Sequence, residues 1–118
     1  MKSYTIDSVC TTLRSLAPHN APAKIQADMA MAIDLIKAGS PEAALFNLVQ
    51  ARCDSALADE DNRPLVAAVE EVASWMIYKA KSLVQLSDVV ECLSLWAHKG
   101  KLADAIKERE RSLKAMAA

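Results

Sequence analysis

The sequence predicts an all-α fold, a compact bundle of five to six short helices that are joined by tight turns into helical hairpins. The 118 residues include only two glycines and four prolines, and all six stand where a helix could begin or end. Apolar residues recur at helical spacing, and no stretch alternates apolar and polar residues as a strand would. Since this length is typical of one domain, residues 1–118 are expected to form a single all-α domain.

The first three helices are predicted from the prolines and glycines that interrupt the apolar pattern. Helix one should cover about residues 4–16 and helix two about residues 21–38, because the two prolines within residues 18–22 are tolerated only in a loop or a first turn. Gly39 should end helix two. Ser40 and Pro41 then have the residue types of a helix cap and a first helical position, and helix three should reach about residue 58.

Helices four to six are predicted in the same way. Pro64 should open helix four, which is expected to extend to about residue 83. Residues 83–97 should form helix five, which is apolar on nearly every side, with Ser87 and Asp88 at its opening and Gly100 at its close. A helix that is apolar all round must be surrounded, either by the other helices or by another chain. Helix six should cover residues 101–116.

Two turns share a glycine-to-alanine spacing. Residues 39–45 and residues 100–106 both read Gly-x-x-x-x-Ala-aliphatic, which resembles the hairpin of tetratricopeptide repeats. The two copies are 61 residues apart, whereas that family repeats about every 34 residues. In the second copy, Arg109 stands where a large apolar residue is expected. Two ordinary helical hairpins fit this pattern better.

The cysteines and the amino-terminal sequence indicate the compartment. Cys10, Cys53 and Cys92 are scattered, each lies within an apolar helical pattern, and no Cys-x-x-Cys pair is present. This distribution favours buried thiols in a reducing environment over disulfides or a zinc site. Because the chain has neither an apolar signal region nor an apolar run of about 20 residues, we expect a cytoplasmic protein that does not enter a membrane.

Sequence motifs for enzymatic chemistry are scarce. The chain has no glycine-rich phosphate loop, no His-Glu-x-x-His and no nucleophile elbow. Glu70-Glu71 and Asp88-x-x-Glu91 are superficially similar to the paired magnesium ligands of small all-α nucleotide pyrophosphohydrolases. Adjacent carboxylates do not share one helix face, however, so a metal-dependent hydrolase is the least favoured alternative. The sequence predicts no enzyme, no metal and no cofactor.

The basic residues near the carboxyl terminus raise the possibility of nucleic-acid binding. Residues 79–118 contain eight Lys and Arg against five Asp and Glu, whereas residues 1–78 contain six against ten. Acidic residues are interleaved among the basic ones of helix six, and this mixture favours a solvated face over a phosphate-binding face. A nucleic-acid-associated regulator or complex subunit is therefore kept as the alternative, with Lys101, Lys107, Arg111 and Lys114 as its contacts.

The favoured function is a small non-enzymatic protein–protein interaction module, that is, an adaptor, an assembly subunit or a protein inhibitor. It would bind another protein, or a second copy of itself, through an apolar helix face. Large apolar and aromatic side chains are expected as the contacts, with charged residues orienting the partner. The predicted contacts are Trp75, Tyr78, Leu95 and Trp96, and the predicted charged docking residues are Asp59, Glu60, Asp61, Lys101, Lys107, Arg111 and Lys114.

Overall fold

The computed structural model describes residues 4–57, 63–93 and 101–117, and these residues form six helices and no strand. The all-α prediction is therefore confirmed. In chain order the helices are α1 (Ile6–Leu16), α2 (Ala23–Lys37), α3 (Pro41–Leu57), α4 (Arg63–Lys79), α5 (Leu83–Cys92) and α6 (Lys101–Ala117).

The central helix of the bundle is α4, which contacts each of the other five helices. It buries residues around most of its circumference, from Leu65 through Val72 to Met76. Helix α3 packs between α2, α4 and α5, while α6 covers parts of α4 and α5. Of the predicted helix 83–97 the structure describes residues 83–93, and their helix α5 lies at the edge of the bundle while α4 occupies the centre. The chain's own helices therefore cover only one side of α5, and coverage of its other side by another chain stays a prediction.

The boundary between α4 and α5 also differs from the prediction. Helix α4 ends at Lys79, and α5 begins at Leu83 after the cap residue Ser82. The hydroxyl Oγ of Ser82 accepts a hydrogen bond from the amide of Gln85 at 3.1 Å. In return, Oε1 of Gln85 accepts one from the amide of Lys81 at 2.8 Å. Because Ser82 caps the helix, Ser87 and Asp88 lie inside α5 and do not open it.

Gly39 ends α2, as predicted. Its φ angle is +86°, in the left-handed region that side chains disfavour. Its amide donates to the carbonyl of Ile36 at 3.1 Å, and the amide of Ser40 donates to the carbonyl of Leu35 at 2.8 Å. This pair of bonds is the Schellman motif, which satisfies the last carbonyls of a helix. Helix α3 then begins at Pro41, the predicted first helical position.

The turn at Gly39 leads to a testable prediction. A Cβ atom added there would meet no atom within 4 Å, so replacement costs only backbone strain. We expect Gly39→Ala to lower the free energy of unfolding by about 1 to 2 kcal/mol. Gly39→Asn should lower it less, because asparagine tolerates the left-handed conformation. Urea denaturation of the three proteins measures this order, and equal stability of Gly39→Ala and the parent chain would contradict it.

Candidate protein-interaction surface

The predicted contact residues fall into different environments. Trp75 is only 5% exposed and lies in the core, with Nζ of Lys79 4.5 Å from the ring centroid. The expectation that Trp75 contacts a partner is therefore corrected, since its ring packs against the chain's own helices. Tyr78 is 48% exposed, and its ring lies 5.8 Å from that of Tyr4. Leu95 and Trp96 lie outside the described residues.

The structure describes only some of the predicted charged docking residues. The acidic residues Asp59, Glu60 and Asp61 lie outside the described residues, as does the side chain of Lys101. Lys107, Arg111 and Lys114 are exposed on α6.

The basic face of α6 is partly neutralised. Nζ of Lys114 lies 2.8 Å from Oε1 of Glu110, and this hydrogen bond lowers the pKa of the Glu110 carboxyl. Arg109 turns toward α4, where its Nε and Nη2 donate to the carbonyl of Ala80 at 3.0 and 2.6 Å. The guanidinium of Arg109 thereby binds the chain itself, and among the described side chains of α6 the outward basic charge depends on Lys107 and Arg111. This geometry lends no support to a phosphate-binding face.

The acidic residues considered for a hydrolase do not form a metal site. Glu70 is exposed and Glu71 is buried on α4, while Asp88 and Glu91 are exposed on α5. Within residues 4–57, 63–93 and 101–117, no three His, Cys, Asp or Glu side chains come together in a way that could hold a metal ion.

Exposed apolar side chains occur on α5. Val84 is 72% exposed and lies on the side of α5 opposite the buried Leu86 and Val89, while Leu83, next to Leu86 on the helix surface, is 42% exposed. A groove of about 360 Å³ lies between α5 and α6, and its α6 side includes the ion pair of Glu110 and Lys114. The lining residues are Leu83, Leu86, Ser87, the half-buried Val90, Ile106, Glu110 and Lys114. We call Leu83, Val84, Ser87 and Val90 the α5 face.

The α5 face lies between two clefts of different character. On the α6 side is the groove just described. On the α3 side, Glu42, Asp88 and Glu91 surround a second cleft with Phe46, whose side chain is 52% exposed, and Cys92. Burial raises the pKa of the Cys92 thiol, and the three carboxylates raise it further. A raised pKa lowers the fraction of thiolate at neutral pH, and the three carboxylates make this cleft an acidic surface.

The charged residues at the two ends of α5 are placed unfavourably for the helix dipole. Lys81 stands just before the amino terminus, whereas Asp88 and Glu91 stand in its second half. The first turn of α5 has no acidic residue and the last turn has no basic one. A helix is stabilised by the reverse arrangement, by about 0.3 to 1 kcal/mol for each charge. In the described part of the chain, neither Lys81 nor Glu91 makes an ion pair that would offset this cost.

The sequence did not single out Leu83 and Val84 as surface residues, because the apolar spacing of α4 continues as far as Leu83. The signal that could have found them is Ser82-x-x-Gln85, a helix-start pattern of the capping-box type. With Ser82 as the cap, Leu83 and Val84 fall in the first turn of α5, and Val84 lies opposite the buried Leu86 and Val89.

Comparison of the chain with protein-family models, with curated proteins and with solved structures finds no match. In the part of the chain that the structure describes, no helix is long and apolar enough to cross a membrane.

Proposed function

We propose that the protein is a non-enzymatic protein–protein interaction module, which acts as an adaptor, an assembly subunit or a protein inhibitor, and that its docking surface is the α5 face. The observation that supports this proposal is the exposure of Leu83 and Val84 beside the α5–α6 groove. Exposure leaves unused the roughly 1.5 to 3 kcal/mol that each fully buried Val or Leu side chain contributes. A partner that covers them recovers part of this free energy.

The edges of the α5 face favour a partner with charges of both signs. Lys81 lies at one end of the face, and Asp88 and Glu91 lie toward the other end. Exposed charges at the rim of an apolar contact orient the partner and speed association more than they add affinity. The apolar side chains would therefore provide the binding free energy, while the charges select the direction in which a partner helix lies.

Val84→Asp is the variant that tests this proposal. Because residue 84 lies in the first turn of α5, a carboxylate there is favourable for the helix, and the fold should be retained. Association should be lost, because docking would then bury an unpaired charge. Association is measured in two ways, by light-scattering mass and by capture of partners from extracts of the source cell, while circular dichroism reports the fold.

Met31→Asp provides the matched control. Met31 is also a large apolar side chain at the surface, 56% exposed, and it lies on α2, which makes no contact with α5. The control variant introduces the same charge and should associate as the parent chain does. If Val84→Asp and Met31→Asp associate equally well, the α5 face is not the docking surface.

A further inference from the structure

We propose that the partner that fits the α5 face is a second copy of this chain, with the two α5 helices packed antiparallel about a two-fold axis near Ser87. This inference rests on the proposed function and names the partner of the same face. A two-fold interface places one patch against itself, so the patch must be self-complementary. The α5 face meets this requirement in Leu83 and Val90, in the small central residue Ser87, and in the flanking charges of Lys81 and Glu91.

The apolar residues match along one edge of the face. Leu83 and Val90 both line the groove on the α6 side of α5. A two-fold axis perpendicular to both α5 helices places this edge of one copy opposite the same edge of the other copy. From the helical rise, Leu83 lies about 6 Å on one side of Ser87, and Val90 lies about 4.5 Å on the other. Antiparallel packing therefore brings Leu83 of one copy beside Val90 of the other. Ser87 is small, and it allows the two helices to approach closely at the axis.

The charges match along the other edge. Lys81 and Asp88 line the same cleft on the α3 side of α5, and Glu91 lines the cleft next to it. Glu91 lies about 6 Å after Ser87 along α5, and Lys81, which precedes the helix and the extended Ser82, lies roughly 9 to 12 Å before it. In the antiparallel pair, each Lys81 then lies within side-chain reach of Glu91 on the other copy. The contact occurs twice, once on either side of the axis.

This pairing also explains why the charges oppose the dipole of α5. Within one chain, Lys81 near the amino end and Glu91 near the carboxyl end are both unfavourable. In an antiparallel pair, the amino end of one helix lies beside the carboxyl end of the other. Lys81 then faces both Glu91 and the negative end of the partner helix. The arrangement that costs free energy in the monomer becomes favourable in the dimer.

The size of the contact predicts a weak dimer. A helix of 10 residues is about 15 Å long, so α5 and its flanking side chains bury less area than a standard interface of about 800 Å² per partner. Association should therefore be followed by sedimentation equilibrium over protein concentrations of roughly 10 µM to 1 mM. The parent chain should change reversibly from monomer to dimer within this range. A parent chain that stays monomeric throughout overturns the proposal.

Reversal of the two charges separately tests the direction of packing. Lys81→Glu places two carboxylates opposite each other at both ends of the dimer, and Glu91→Lys places two ammonium groups there. Each variant alone should weaken self-association about tenfold or more, because two favourable pairs become two repulsive ones. Each reversal places its charge favourably for the dipole, although the carboxylate of Lys81→Glu also lies in the cleft that holds Glu42 and Asp88. Urea denaturation of each variant therefore checks that a loss of association is not caused by unfolding.

An equimolar mixture of the two variants provides the decisive measurement. In the mixed dimer, the carboxylate introduced by Lys81→Glu on one chain meets the ammonium group introduced by Glu91→Lys on the other. At the opposite end of the contact, the unchanged Glu91 of the first chain meets the unchanged Lys81 of the second, so both pairs are again favourable. The mixture should dimerise within about threefold of the parent affinity. A mixture that associates no better than the single variants overturns the antiparallel arrangement.

Lys37→Glu is the control for a general effect of charge reversal. Lys37 is exposed at the end of α2, a helix that makes no contact with α5. The variant changes the net charge as much as Lys81→Glu does, and its self-association should equal that of the parent chain. Equal weakening by Lys37→Glu and Lys81→Glu would show that net charge, and not the Lys81–Glu91 pair, governs association.

Failure of this inference can be told apart from failure of the proposed function. A monomeric parent chain whose capture of a cellular protein is abolished by Val84→Asp would overturn the second copy as partner and leave the α5 face as a docking surface. A parent dimer that Val84→Asp does not weaken would overturn the placement of the dimer on α5. Both proposals are supported if Val84→Asp abolishes self-association and the capture of a cellular protein, and if the mixture of Lys81→Glu and Glu91→Lys dimerises again.

Discussion

Replacing Leu45 by alanine is expected to lower the free energy of unfolding by about 3 to 5 kcal/mol. Leu45 lies on α3 and its side chain is completely buried. Helix α3 packs against α2, α4 and α5, so the neighbours of Leu45 are held from several sides and cannot collapse fully into the space left behind. The loss includes both the transfer free energy and the cost of a cavity.

Thermal and urea unfolding measure this prediction. For a chain of this size, the change corresponds to a decrease of roughly 10 to 20 °C in the midpoint of thermal unfolding. The adjacent residue provides the control, because Phe46 is 52% exposed on the same helix. Phe46→Ala should cost less than about 1.5 kcal/mol, since half of the ring already contacts water. Similar losses for the two variants would contradict the orientation of α3.

Arg109→Ala is expected to lower the free energy of unfolding by about 1.5 to 3 kcal/mol. The guanidinium donates two hydrogen bonds to the carbonyl of Ala80, a residue that is only 2% exposed. Removing both donors leaves this carbonyl, at the end of α4, without a hydrogen-bond partner among the described residues. Leaving a buried polar group unsatisfied costs more than the bond itself contributes in water.

Two further variants separate this effect from a general loss of charge. Arg109→Lys keeps the positive charge but cannot present two donors in a planar fork, so it should recover only part of the stability. Lys107→Ala removes an exposed charge from the same helix and should change the free energy of unfolding by no more than about 0.5 kcal/mol. Urea denaturation of the three variants checks the order. A loss in Lys107→Ala equal to that in Arg109→Ala would show that the Ala80 contact is unimportant.

The helices that begin and end with strong local signals could be predicted from the sequence. Gly39 and Pro41 mark the end of α2 and the start of α3 as expected, because a left-handed turn and a first helical position each depend on a few adjacent residues. The all-α fold class follows from the same kind of evidence, since helical periodicity is visible within a short window of residues.

The end of α4 could not be predicted in this way. Ala80 and Leu83 continue the apolar spacing of α4, so the pattern alone extends the helix to residue 83. The carbonyl of Ala80 is instead bound by Arg109, which lies 29 residues further along the chain, and Ser82 caps the next helix. The end of α4 thus coincides with the contact between Arg109 and the carbonyl of Ala80, two residues that are distant in sequence. The sequence showed Arg109 only as a departure from an expected apolar residue.

The residues of the candidate surface could likewise be predicted only in part from the sequence. By itself the sequence determined that the chain is helical and where most of its helices begin. Only the tertiary structure decided that Trp75 lies in the core and that Leu83 and Val84 lie at the surface. The physical reason is that helix formation depends on neighbours within about one turn, whereas burial depends on which other helices cover a given face.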